Sequence, residues 1–203
     1  MRTFIAIELP QSVQNPINQV QIALQAHLRE QQCPESIQWT PVAKIHLTLR
    51  FLGETSASQQ EFITPGLSEI AQRQPAFVLS LSDLGCFPNF RAPSVVWLGL
   101  QGELTALQQL QQQLEQLARK TDFVPENRAF APHITLGRAR RSSSPSDLHR
   151  TGAALQQFQA AVTMQRHSNL SSEPFVVDQF VHIQSELQPG GARYTPIKRY
   201  MFG

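Results

Sequence analysis

The chain has 203 residues, enough for one large domain or two small lobes around a cleft. An apolar content of 41% can build a core, while a net charge of only +2 argues against a general nucleic-acid coat protein and leaves room for a small local basic site at most. No apolar run approaches transmembrane length, the N-terminus lacks a signal-peptide layout, and Cys33 and Cys86 stand far apart without metal spacing. These features predict a soluble, cytoplasmic, monomeric protein with free thiols, bound to no membrane.

The chain opens with an apolar strand, Phe4 to Leu9, closed by Pro10. Val13, Ile17, Val20, Leu24 and Leu28 then recur at helical spacing over Gln11 to Gln31, with Pro34 just past the end. Ile37 to Trp39 is a short extended piece, and a strand from Ile45 to Leu52 follows, ended by Gly53. Ser56 or Ser58 caps a helix running to about Arg73. Phe77 to Ser82 alternates as a strand, Gly85 to Asn89 reads as loop, and Val95 to Leu100 is a further strand. Leu104, Leu107, Leu110, Leu114 and Leu117 mark a second long amphipathic helix with a Gln-rich outer face. A loop from Val124 to Pro132 leads into a strand that begins at His133. Residues 140–173 contain a Ser-rich run and predict a mobile insertion with a short helix from about Leu148 to Phe158. Phe175 to Ile183 is one strand, Pro189-Gly190-Gly191 a turn, and Ala192 to Arg199 an edge strand.

Two of these strands carry the same unit: His46-Leu47-Thr48-Leu49 and His133-Ile134-Thr135-Leu136. The chain's six His and eleven Thr give roughly 0.3 chance occurrences of His-x-Thr, and apolar residues at the other two positions cut this to roughly 0.05. Two copies are therefore a signal. Alternation puts Leu47, Leu49 and Phe51 on one face of the first strand and His46, Thr48 and Arg50 on the other; Arg50 reads equally well as a solvated charge. The repeated strand–helix–motif-strand order implies a duplication. The expected fold is α+β and bilobal, spanning 1–203, with two pseudo-twofold-related antiparallel sheets lining a central cleft and helices outside. Such a cleft would hold two imidazoles and two hydroxyls. One neutral and one protonated imidazole can move protons in both directions. The hydroxyls can hydrogen-bond a group with several anionic oxygens. No cluster has metal spacing, although two His could in principle ligate one. Phosphodiester transfer without metal or cofactor fits this set.

The paired motifs resemble the two-histidine (2H) phosphoesterases. Met1 to Pro10, Trp39, His46 to Gly53, Gly85 to Pro88, Trp97 to Leu100, Pro132 to Arg138 and Ser185 to Tyr194 are similar to the RNA 2′,3′-cyclic phosphodiesterases, also called LigT-like 2′-5′ RNA ligases. The resemblance implies hydrolysis of a 2′,3′-cyclic phosphate at an RNA end to a 2′-phosphate, or its joining to a 5′-hydroxyl. In it His46 is the proton donor, His133 the proton acceptor, and Thr48 and Thr135 bind the phosphoryl oxygens. It also places Arg138 at the phosphate, whereas strict alternation turns Arg138 away from His133 unless Gly137 hosts a bulge. Phe4, Phe87 and Tyr194 are candidates to stack a base, against the commoner fate of core packing. His182 lacks a following Thr and reads as an ordinary strand histidine. Two other readings stay open: the same chemistry on a different small cyclic phosphate, such as a nucleotide or ADP-ribose derivative, and RNA-end binding without catalysis.

Overall fold

The computed structural model describes residues 1–33, 35–164, 173–189 and 191–203. Pro34, Gly190 of the expected turn and residues 165–172 of the expected insertion lie outside the described residues. The elements are β1 (Arg2–Glu8), α1 (Gln11–Glu30), β2 (Ile37–Trp39), β3 (His46–Glu54), α2 (Ala57–Arg73), β4 (Phe77–Phe87), β5 (Val95–Gly102), α3 (Leu104–Lys120), β6 (Ile134–Ala139), α4 (Pro145–Met164), β7 (Phe175–Val177), β8 (Gln179–Gln188) and β9 (Gly191–Met201).

Among the described residues nine antiparallel strands form one sheet in the order β7-β4-β5-β6-β3-β1-β8-β9, with β2 attached to β6. The expectation of two sheets is corrected here: the halves fuse where the two motif strands meet, through the pair Leu47 and Ile134. The four helices carry their apolar stripes into one core on a single face. Val13, Ile17 and Leu24 of α1, Leu67 of α2, Leu107 and Leu114 of α3 and Leu155 of α4 pack there against Leu47 and Ile134. The opposite face carries, among the described residues, a small cluster of Phe4, Ala6, Val181 and Ile183, with Tyr194 against it.

Several boundaries depart from the sequence reading for local reasons. Gly85 to Phe87 belongs to β4, because Gly85 pairs with Trp97 and lets the indole lie across it; an added Cβ would meet Trp97 Cζ2 at 2.2 Å. Gly102 (φ 106°) ends β5 in the left-handed region beside the Val78 carbonyl. The Ser-rich run starts α4: Ser144 Oγ accepts from Asp147 N at 3.1 Å, and the helix extends to Met164, well beyond the short piece predicted. Ser56 caps α2 with Gln59 in a reciprocal capping box. The single strand expected over Phe175 to Ile183 is two strands. β7 pairs with β4 at one edge of the sheet, and β8 pairs with β1 near the other. Asp178 joins them, its carbonyl accepts from Phe202 N at 2.8 Å, and the Phe202 ring contacts both Phe77 and Phe180. The sheet is thereby curled, with its two ends tied together and the open face inside the curl.

Candidate active site

The register of β3 against β6 builds the site. Leu47 opposite Ile134 puts both apolar side chains into the core. It also sets His46 across from Thr135 and Thr48 across from His133 on the open face. The two imidazoles are diagonal neighbours, which in a regular antiparallel ladder lie roughly 7–8 Å apart. Each ring is oriented in the same way. His46 Nδ1 lies 2.9 Å from the Lys44 carbonyl and His133 Nδ1 lies 2.7 Å from the Ala131 carbonyl, two residues back in both cases. A carbonyl only accepts, so each Nδ1 carries a proton and each Nε2 is the nitrogen left to accept one.

Both motif strands then bulge at the same place, three residues after the histidine. In β3, Ile5 pairs with Arg50 and Ala6 with Thr48, so Leu49 is the extra residue. In β6, Val96 pairs with Gly137 and Trp97 with Thr135, so Leu136 is extra. The carbonyl of Leu136 accepts instead from Thr40 N at 2.8 Å and from the buried Gln21 amide at 2.9 Å. Each bulge exchanges the faces of the residues beyond it. Arg50 turns to the core side, is 6% exposed, and pairs with Glu115 of α3 while donating to the Phe51 and Val124 carbonyls. It is neither on the histidine face nor solvated. Gly137 occupies the matching place in β6, where a Cβ would meet Ile37 Cγ2 at 2.7 Å. Phe51, expected in the core, is 57% exposed on the cleft side, and Arg138 is its counterpart. Thr48, Arg50, Phe51, Phe87, His133 and Arg138 line a cleft of about 550 Å³, walled on one side by Arg128, Phe130 and Ala131 of the 124–132 loop; His46, Thr135 and Tyr194 are not among its lining residues.

A family model for the 2′-5′ RNA ligase superfamily matches residues 9–181. The chain belongs to this superfamily. It is 33% identical over 201 residues to an RNA 2′,3′-cyclic phosphodiesterase of Escherichia coli (strain K12), covering 98% of this chain and 95% of that one. A protein of the same name from Archaeoglobus fulgidus is 28% identical over 201 residues, covering 98% of both. Escherichia coli LigT complexed with 3′-AMP superposes with a TM-score of 0.71 at 28% identity, over 99% of this chain and 97% of that one. TT0787 of Thermus thermophilus gives 0.76 at 22% identity over 100% and 98%, a likeness of fold. The family expected from the paired motifs is thus the one found.

Within this superfamily member, the aromatic candidates differ in placement. Phe4 is 2% exposed, with its ring 4.9 Å from His46, 5.8 Å from Phe51 and 5.3 Å from Tyr194. Its faces are covered, so it backs the His46 ring and is not free to stack a base. Tyr194 stands edge-on to His46 at 5.2 Å, and Phe87 edge-on to His133 at 4.9 Å. Trp97, 6.2 Å from His133, completes the second pair. Sequence reasoning missed Phe51, which the bulge turns to the cleft, and Trp97, which the β4–β5–β6 register sets beside Phe87 and His133.

Burial pushes both motif imidazoles below their ordinary value, and the Arg138 charge pushes both further the same way. Both hydrogen bonds from Nδ1 act upward. At His46 the Glu8 carboxylate, opposite it across the β1–β3 ladder, also acts upward. His182 is wholly buried and carries neither role. Among the described residues no three His, Cys, Asp or Glu side chains are grouped as a metal ion would require, and no helix is long and apolar enough to cross a membrane.

Proposed function

We propose that this chain is an enzyme that opens the 2′,3′-cyclic phosphate at an RNA end to a 2′-phosphate, with two histidines as acid and base and no metal. The observation that supports this reading is the mirrored pair of imidazoles on adjacent strands, each fixed through its Nδ1 to the carbonyl two residues back and each across the ladder from the other strand's threonine. The names of the relatives spanning almost the whole chain support the same substrate class.

His133 Nε2 takes a proton from water as the water oxygen bonds to phosphorus. The P–O3′ bond breaks, and His46 Nε2–H gives its proton to the departing 3′ oxygen. The products are a 2′-phosphomonoester and a 3′-hydroxyl. Thr48 and Thr135 donate to the non-bridging oxygens, whose charge Arg138 balances. Glu8 supports His46 as the acid, since this carboxylate favours the protonated ring and His133 feels only the Arg138 charge. With an RNA 5′-hydroxyl in place of water, the same steps form a 2′-5′ linkage. Residues 1–203 act as one unit, each half of the sheet supplying one motif. Phe51, Phe87 and Tyr194 offer aromatic surface to the terminal nucleoside.

The test is turnover in EDTA of a short RNA ending in a 2′,3′-cyclic phosphate, with the product's phosphate located at the 2′ or 3′ oxygen. A 3′-phosphate product, or activity that disappears with chelation, would overturn the reading. An oligonucleotide that binds but is never opened would leave RNA-end binding as the function, and turnover of only another cyclic phosphate would reassign the substrate.

A further inference from the structure

Eight of the 17 lysines and arginines are engaged among the described residues. Arg50, Arg73, Arg119, Arg128 and Arg199 pair with carboxylates, and Lys44, Arg150 and Lys198 donate to oxygens. Of the described others, Arg2, Arg29, Lys120 and Arg193 are spread over β1, α1, α3 and β9, while four arginines belong to β6, the residues just after it and the neighbouring β4–β5 loop. Arg138 lines the cleft, and Arg140 and Arg141 follow it after Ala139, all three exposed. Exposed Arg91 belongs to the loop between β4 and β5, whose Ser94 lies alongside: its carbonyl accepts from Ala139 N at 2.9 Å, and it also lines the cleft. None of these four guanidinium groups has an ion pair among the described residues. Of the carboxylates close by in the chain, Asp147 is bound to Ser144, and exposed Glu35 precedes Ser36, whose carbonyl accepts from Arg140 N.

A row of unpaired arginines repels itself and is stabilised only by an anionic partner. Its backbone is rigid here, because Arg138, Ala139 and Arg140 are pinned by Gln38, Ser94 and Ser36 respectively. At about 3.3 Å per extended residue, Arg138 and Arg140 are roughly 6.6 Å apart along the chain. That is comparable with the spacing of successive phosphates on a nucleic-acid strand.

We propose that Arg140 and Arg141, with Arg91 beside them, form a track for the RNA backbone upstream of the terminal nucleotide, continuing from Arg138. The inference rests on the phosphodiesterase reading and extends it: the preferred substrate is a polynucleotide end, and a mononucleoside 2′,3′-cyclic phosphate fills only the cleft. The track contributes affinity through phosphate charge and is indifferent to base sequence.

The experiment compares kcat/KM for a ten-nucleotide RNA ending in a 2′,3′-cyclic phosphate with that for a mononucleoside 2′,3′-cyclic phosphate, in the parent and in the double variant Arg140→Ala/Arg141→Ala, across a salt series. The expected result is a loss of about tenfold for the oligonucleotide at low salt with the mononucleotide rate unchanged. The dependence of log(kcat/KM) on log[salt] for the oligonucleotide should become shallower by about 1.4, at about 0.7 for each phosphate that no longer meets an arginine. The mononucleotide rate doubles as the control for folding. Equal loss on both substrates, or no loss on either, overturns the track. A parent protein that turns over neither substrate fails the phosphodiesterase reading instead.

Discussion

His182 should weaken the fold in acid. Its ring is 0% exposed, faces the helix-side core with Phe180, and has no partner for either nitrogen. Burial holds its pKa down to about 4, against 6.5 in an unfolded chain. As pH falls through 6.5, the unfolded chain takes up a proton that the folded one refuses. Stability is therefore complete above about pH 6.5 and is lost between there and pH 4. The full loss is about 3 kcal/mol, of which about 2 kcal/mol falls between pH 7 and pH 5. For a chain of this length that corresponds to a fall in Tm of about 4–8 °C by pH 5 from this group alone. His182→Leu removes the titration and two unsatisfied nitrogens at similar volume. Thermal unfolding of both proteins from pH 7 to pH 4.5 should show the variant at least as stable at pH 7 and markedly flatter below. Parallel curves would refute the assignment. Because β8 braces β1, which in turn pairs with the His46 strand, the acidic limb of activity is best measured in this variant.

His46→Ala and His133→Ala should each cut turnover by about 10²–10⁴ with unchanged Tm. A substrate whose leaving group needs no proton should partly rescue His46→Ala only; rescue of His133→Ala would reverse the acid and base. Since burial and Arg138 depress both imidazoles, the singly protonated pair prevails below pH 6.5, so kcat/KM in the His182→Leu background should peak there. Bound phosphate favours the charged ring, so kcat should peak at higher pH; a kcat/KM optimum above pH 7 would contradict this. Arg138→Ala should lower turnover and leave the Tm alone, whereas Arg50→Ala removes one partner of Glu115, which keeps Arg119, and leaves the Phe51 and Val124 carbonyls without their donor, and should cost about 1–3 kcal/mol of stability, read by urea unfolding. Equal, small effects of the two would mean that the bulge does not divide them as described.

The pairing of His46-x-Thr48 with His133-x-Thr135 was legible in the sequence because strand alternation is local: the apolar partners of each unit dictate which face the polar ones occupy. The buried stripes of α1, α2 and α3 were legible for the same reason, through the helical period. What the sequence could not carry was anything that depends on a partner strand. Alternation alone sends Phe51 to the core and Arg50 to the histidines, and the bulges at Leu49 and Leu136 invert both expectations. A bulge is set by what the displaced groups find elsewhere: Thr40 and Gln21 for the Leu136 carbonyl, Glu115 for Arg50, room for Gly137 beside Ile37. The split at Asp178 was hidden likewise, since β7 and β8 are one apolar run whose halves pair with strands distant in the chain. Local periodicity determined which side chains could do the chemistry, and long-range pairing decided which of them face it.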